Sequence, residues 1–125
     1  MIHLDTSALV DALVSPHRSF DRLMSFVEDG HRLCISTLVL YEWLRGPRTV
    51  AERLAQEQIL PAAAAVPFDA EAAARAAEIY EVVSRPRRRR QADIAIAACA
   101  LVQGAALWTL NERDFADVPE LEIVQ

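Results

Sequence analysis

Residues 92–115 read ADIAIAACALVQGAALWTLNERDF, and this stretch decides the fold. From Ile94 to Val102 every side chain is apolar. A helix over about 91–103 therefore has no polar face and is buried on every side. Gly104 stops it, and ALWTL, 106–110, reads as a strand. NERDF then carries the residue types of a turn.

Outward from there, MIHL is a short first strand ending at Asp5, and TSALVDALV, 6–14, is a helix interrupted by Pro16. A second helix fits 17–28, with Phe20, Leu23, Met24 and Val27 on one face and Gly30 as its stop. RLCIS, 32–36, is a second strand, and Ser36 caps a helix through LVLYEWLRG to Gly46. A fourth helix covers about 49–58, and AVPF, 65–68, is an ambiguous extended piece. Asp69 caps an alanine-rich helix over about 70–84, with Pro86 just beyond it, and EIV, 122–124, is a last short strand. Short strands separated by helices indicate an α/β sandwich around a parallel sheet, one domain over residues 1–125.

Just over half of the 125 residues are apolar, enough to bury a sizeable core. No window approaches 18 uncharged apolar residues, so no membrane helix is expected. The N-terminus lacks the basic and apolar regions of a secretory signal, which makes the cytoplasm the expected location. Cys34 and Cys99 lie far apart in apolar surroundings and read as buried thiols. A net charge of −5 argues against a surface that coats nucleic acid broadly. The basic charge is local instead. All 13 basic residues are arginine, and five of them fall between Arg85 and Arg90. Arginine grips phosphate in a planar fork. Four arginines in a helical first turn would oppose the helix dipole, so the helix starts near Gln91 and leaves Arg87, Arg88, Arg89 and Arg90 on an exposed loop. Such a run serves either as a phosphate clamp or as a solvated loop.

The acids follow the strands. Asp5 ends the first, Glu42 lies in the helix after the second, Asp93 opens the buried helix, and Asn111 and Asp114 follow the third. In open α/β sheets functional groups gather at the carboxyl ends of strands. Each residue also has a plainer reading. Asp5 could cap the following helix, Glu42 could be solvated, and Asn111 and Asp114 could belong to a turn. Asp93 could answer only the helix dipole, or pair with Arg89 or Arg90. Against solvation, the neighbours of Glu42 are apolar nearly all round the helix. Carboxylates converging on one pocket repel each other, and a hard divalent cation relieves that repulsion. Mg2+ takes oxygen ligands, and beside carboxylates it serves phosphoryl chemistry by polarising phosphate and activating water. His3, His17 and His31 have no zinc spacing. Tyr41 and Trp43 are candidate interface anchors, Trp43 more so than Tyr41.

MIHLDTSALV, YEWLRG and ADIAIAACALVQGAALWTLNERDF together resemble the PIN domain family, in particular the VapC-type toxins of bacterial toxin–antitoxin pairs. The resemblance spans essentially the whole chain and rests on the order and spacing of the three motifs. It implies a Rossmann-like α/β/α sandwich with a short, mostly parallel central sheet. It also implies Mg2+ (or Mn2+) in an acidic pocket, endoribonuclease activity, a homodimer and a cognate VapB-type antitoxin. Asp5 and Asp93 match the metal-holding aspartates and Glu42 the third acid. Asn111 and Asp114 compete for the fourth position, and Thr6 and Thr109 match supporting hydroxyls. Two other classes fail on residues: a phospho-acceptor domain needs a lysine this chain lacks, and a haloacid dehalogenase-type phosphatase needs a second aspartate near Asp5. A PIN scaffold that binds RNA or protein without cutting is the remaining alternative.

Overall fold

The structure is a computed structural model that describes residues 1–84 and 87–125. Arg85 and the helix stop expected at Pro86 lie outside the described residues. The order is β1 (Ile2–Leu4), α1 (Thr6–Leu13), α2 (Phe20–Glu28), β2 (Leu33–Cys34), α3 (Thr37–Arg45), α4 (Val50–Ile59), α5 (Ala70–Val82), α6 (Gln91–Val102) and β3 (Ala106–Trp108). The three strands form a parallel sheet in the order β2-β1-β3. Ile2 faces Leu33 and Ala106, and Leu4 faces Trp108 across the ladder. This is the α/β fold with a parallel sheet that the sequence indicates. No helix among the described residues is long and apolar enough to cross a membrane.

β1 is buried along its length because it is central and helices cover both faces. His3 is buried with it, its Nε2 lacks a hydrogen-bond partner among the described residues, and burial pushes its pKa down to about 4. α6 is buried continuously from Ile94 to Ala100, as its uniform apolarity requires. Ser36 and Asp69 cap α3 and α5 through their side chains, accepting from the backbone N–H of Val39 and Ala72. Thr49 and Glu52 form a reciprocal capping box at α4. Both cysteines are buried free thiols.

Several expectations change. β3 ends at Trp108 because Thr109 turns its hydroxyl toward Asp5 and the Leu110 N–H goes to Ser7, leaving nothing to continue the ladder. β2 ends at Cys34, since the Ile35 carbonyl accepts from Val66 and Ser36 serves α3. AVPF supplies a single bridge at Val66, and the expected last strand a single bridge from Ile123 to Leu107. α2 begins at Phe20, not 17, because His17 has a left-handed φ of 59°. Its inward face is carried by Leu23 and Phe26, and Phe26 meets Trp108 edge-on at 5.2 Å; Phe20 and Val27 are exposed. Trp43 is the sharpest reversal. It is 0% exposed, with Arg48 stacked 4.4 Å from its ring, whereas Tyr41 is 61% exposed. Burial on α3 runs through Val39 and Trp43, one turn apart, so Tyr41 and Leu44 face outward.

Candidate active site

Because the strands are parallel, their carboxyl ends lie at one edge of the sheet, and the chain leaves β1 and β3 directly into residues of the site, Asp5 and Thr109. Asp5 follows β1 directly and is 5% exposed. It does not cap α1 with its side chain. Its Oδ2 accepts from Ser7 Oγ (2.9 Å) and from Thr109 Oγ1 (2.7 Å) instead. Those two hydroxyls lie 3.2 Å apart, and the backbone N–H groups of Leu110 and Asn111 donate to them. A hydrogen-bonded bracket thus locks the exits of β1 and β3 around one carboxylate.

Glu42 is half-buried on α3. Its Oε1 accepts from Thr6 Oγ1 at 2.5 Å, which joins α3 to the start of α1, and Arg45 stands 3.8 Å from Oε2. Asp93 is half-buried in the first turn of α6. Its carboxyl is pushed up to about 6, first by burial and then by the charges of Asp5, Asp114 and Glu42, with Arg90 opposing. Among the described residues Asp93 joins no ion pair, so the pairing with Arg89 or Arg90 is not made. Asn111 is exposed and offers only its backbone N–H to the bracket. Asp114 is also exposed, but its charge reaches Asp93.

The donor set consists of carboxylate and hydroxyl oxygens, the chemistry of a hard cation. Among the described residues, no three His, Cys, Asp or Glu side chains are grouped to hold a metal ion. Mg2+ does not require such a cage, since it commonly takes one or two carboxylates and retains water. The residues therefore fit Mg2+ bound in that hydrated manner.

The arginines do not form the open loop read from the sequence. Arg88–Arg90 wind into a 3-10 turn that leads directly into α6. Arg87 packs on Tyr80, 5.3 Å from the ring, and Nη1 donates to the Tyr80 carbonyl at 3.4 Å. Arg90 pairs with Asp117 at 2.5 Å. Of the four, Arg88 and Arg89 are the exposed ones. Sequence reasoning missed Ser7, read only as part of the first helix, and Asp117, which no motif marks. The signal for Ser7 was its hydroxyl two residues past Asp5, within reach of the same carboxylate.

A family model for the PIN domain matches residues 2–121, and the chain belongs to the PIN domain family. Solved structures with the same fold include VapBC2 from Rickettsia felis bound to a DNA fragment from its promoter. That chain is 19% identical, with a TM-score of 0.73 over 99% of this chain and 98% of the other. DNA-bound VapBC from Salmonella typhimurium is 22% identical, with a TM-score of 0.73 over 98% and 96%. FitAcB from Neisseria gonorrhoeae is 18% identical, also with a TM-score of 0.73, over 100% and 97%. A search of curated proteins finds no match.

Proposed function

We propose that this chain is a divalent-metal-dependent endoribonuclease of the VapC type, active in the cytoplasm and silenced by a VapB-type antitoxin. The observation that carries this reading is the convergence of Asp5, Asp114 and Glu42 on half-buried Asp93 at the strand-end edge of the sheet, where burial first and then these charges raise its carboxyl. When bound, Mg2+ or Mn2+ would polarise the scissile phosphate and activate water for attack. Asp5 and Asp93 are the residues to hold it, with Glu42 as the third acid. Thr109 and Ser7 keep Asp5 in one rotamer, and Thr6 does the same for Glu42. Arg88 and Arg89 supply exposed positive charge next to the acids, where a polyanion would otherwise be repelled. The likeness to VapBC and FitAB complexes supports an antitoxin partner. Tyr41 and Leu44, exposed on the same helix as Glu42, supply apolar surface for that partner or for a second copy in a homodimer.

The test is cleavage of structured RNA with Mg2+ or Mn2+, with EDTA, and with Asp5→Asn or Asp93→Asn. Cleavage should require metal and fall at least about 100-fold in either variant, since each removes an anionic ligand with little change of shape. Undiminished cleavage in EDTA would falsify the mechanism. A second reading, a PIN scaffold that binds without cutting, is favoured by the lack of a ready metal-holding trio among the described residues. It predicts RNA retention with no cleavage under any metal.

A further inference from the structure

Among the described residues of the arginine run, Arg90 is the one whose terminal nitrogens are both committed to other segments. Its Nη1 donates to Asp117 Oδ2 (2.9 Å) and to the Ser84 carbonyl (3.3 Å). Its Nη2 donates to Asp117 Oδ1 (2.5 Å) and to the Asp114 carbonyl (2.9 Å). Asp117 Oδ2 also accepts from the backbone N–H of Ser84 (2.9 Å) and from its hydroxyl (2.8 Å). One guanidinium thereby ties together the exit of α5, the entry of α6 and the loop after β3. Buried Phe115 and Val118 anchor that loop in the core. Arg90 is the N-cap residue of α6, three positions before Asp93, and it holds the backbone of Asp114 directly.

We infer that Arg90 is a positioning residue: its forked pair with Asp117 and its bond to the Asp114 carbonyl fix Asp93 and Asp114 relative to each other and so set the geometry of the acidic pocket for a divalent cation. The inference rests on the metal-site reading above. It divides the basic run, with Arg88 and Arg89 facing solvent and Arg90 facing the protein. The fork is what matters, because two parallel N–H groups match the two carboxylate oxygens while two more reach the Ser84 and Asp114 carbonyls. Lysine keeps the charge but cannot span all four acceptor atoms.

The experiment measures Mn2+ binding by calorimetry on the folded full chain, and RNA affinity across a salt series. Arg90→Lys should weaken Mn2+ binding on the order of 10-fold, since misplacement by about 1 Å is already costly at such sites. Its salt slope for RNA should match the wild type. Asp117→Asn, which carries the same test if Arg90→Lys does not fold, should weaken Mn2+ binding similarly. Arg75→Gln, which breaks only the surface pair with Glu120, should change neither measurement. Wild-type Mn2+ affinity in Arg90→Lys overturns the inference. So does a reduced RNA salt slope with Mn2+ binding intact in Arg90→Gln, which would make Arg90 a phosphate ligand. Absence of Mn2+ binding by the wild type overturns the metal reading itself and leaves Arg90 nothing to position, so the two failures are told apart by the wild-type titration.

Discussion

At Asp93 two effects oppose each other. The first turn of α6 favours a carboxylate by about 0.3–1 kcal/mol through the helix dipole. Burial and three neighbouring acids favour the protonated form, and the carboxyl's rise to about 6 shows that they win. The sign of the consequence follows from linkage. A carboxyl whose folded pKa lies above its unfolded value contributes stability that is present below about 4 and lost as pH rises through about 6. Asparagine mimics the protonated form at every pH. In EDTA at pH 8, Asp93→Asn should therefore melt a few degrees above the wild type, and the two should converge near pH 4. Adding Mg2+ should reverse the order at pH 8, because only the wild type keeps the anionic ligand. Thermal melts in the three conditions check this, and equal melting points in EDTA at pH 8 would show that burial and the neighbouring acids do not strain Asp93. The sequence marks Asp93 through its buried helix, but Ser7 only through its nearness to Asp5, because a hydroxyl's partner cannot be read from spacing.

The elements show how a short helix divides its faces. α3 buries Val39 and Trp43, points Glu42 toward Thr6, and leaves Tyr41, Leu44 and Arg45 outside. LVLYEWLRG is apolar almost all round, so periodicity did not say which aromatic was core. Packing decided it: the face bearing Val39 and Trp43 meets α1 and α6. The Gly46 that follows leaves room for the Arg48 side chain, which a larger residue there would displace. A Cβ there would stand 2.6 Å from Arg48 Nη2, where Arg48 folds back over the Trp43 ring. Trp43→Ala should cost about 3–5 kcal/mol by emptying a core position. Tyr41→Ala should stay within about 0.5 kcal/mol, as at other exposed sites, and should instead weaken association with the antitoxin or with a second copy. Urea unfolding and light scattering separate the two effects, and a large stability loss at Tyr41 would move it into the core.

Over the whole molecule the charge is divided. The net charge is −5, with acids gathered at the strand-end edge and an arginine turn beside them. With Arg87 on Tyr80 and Arg90 on Asp117, the solvent-exposed charge of the turn among the described residues reduces to Arg88 and Arg89. Replacing these two with serine should lower the salt slope of single-strand RNA binding by about 0.7 for each phosphate that is no longer neutralised. Unfolding free energy should stay unchanged. A slope equal to the wild type would return the run to a solvated turn.

The sequence by itself determined the parallel α/β plan, the buried helix α6, the caps Ser36 and Asp69, and the places of Asp5 after the first strand, Glu42 in the helix after the second and Asp93 at the start of α6. Each of these follows from local chemistry: uniform apolarity, capping oxygens, and the order of short strands and helices along the chain. Only the tertiary structure decided that Trp43 goes in and Tyr41 out, that Ser7 and Thr109 share the carboxylate of Asp5, and that Arg90 faces Asp117. Arg90 and Asp117 are 27 positions apart, Asp5 and Thr109 are 104 apart, and the fate of Trp43 depends on which side of a nearly all-apolar helix meets its neighbours. Periodicity and propensity act within a few residues, and the partner across such a distance is chosen by how the sheet and helices close on one another.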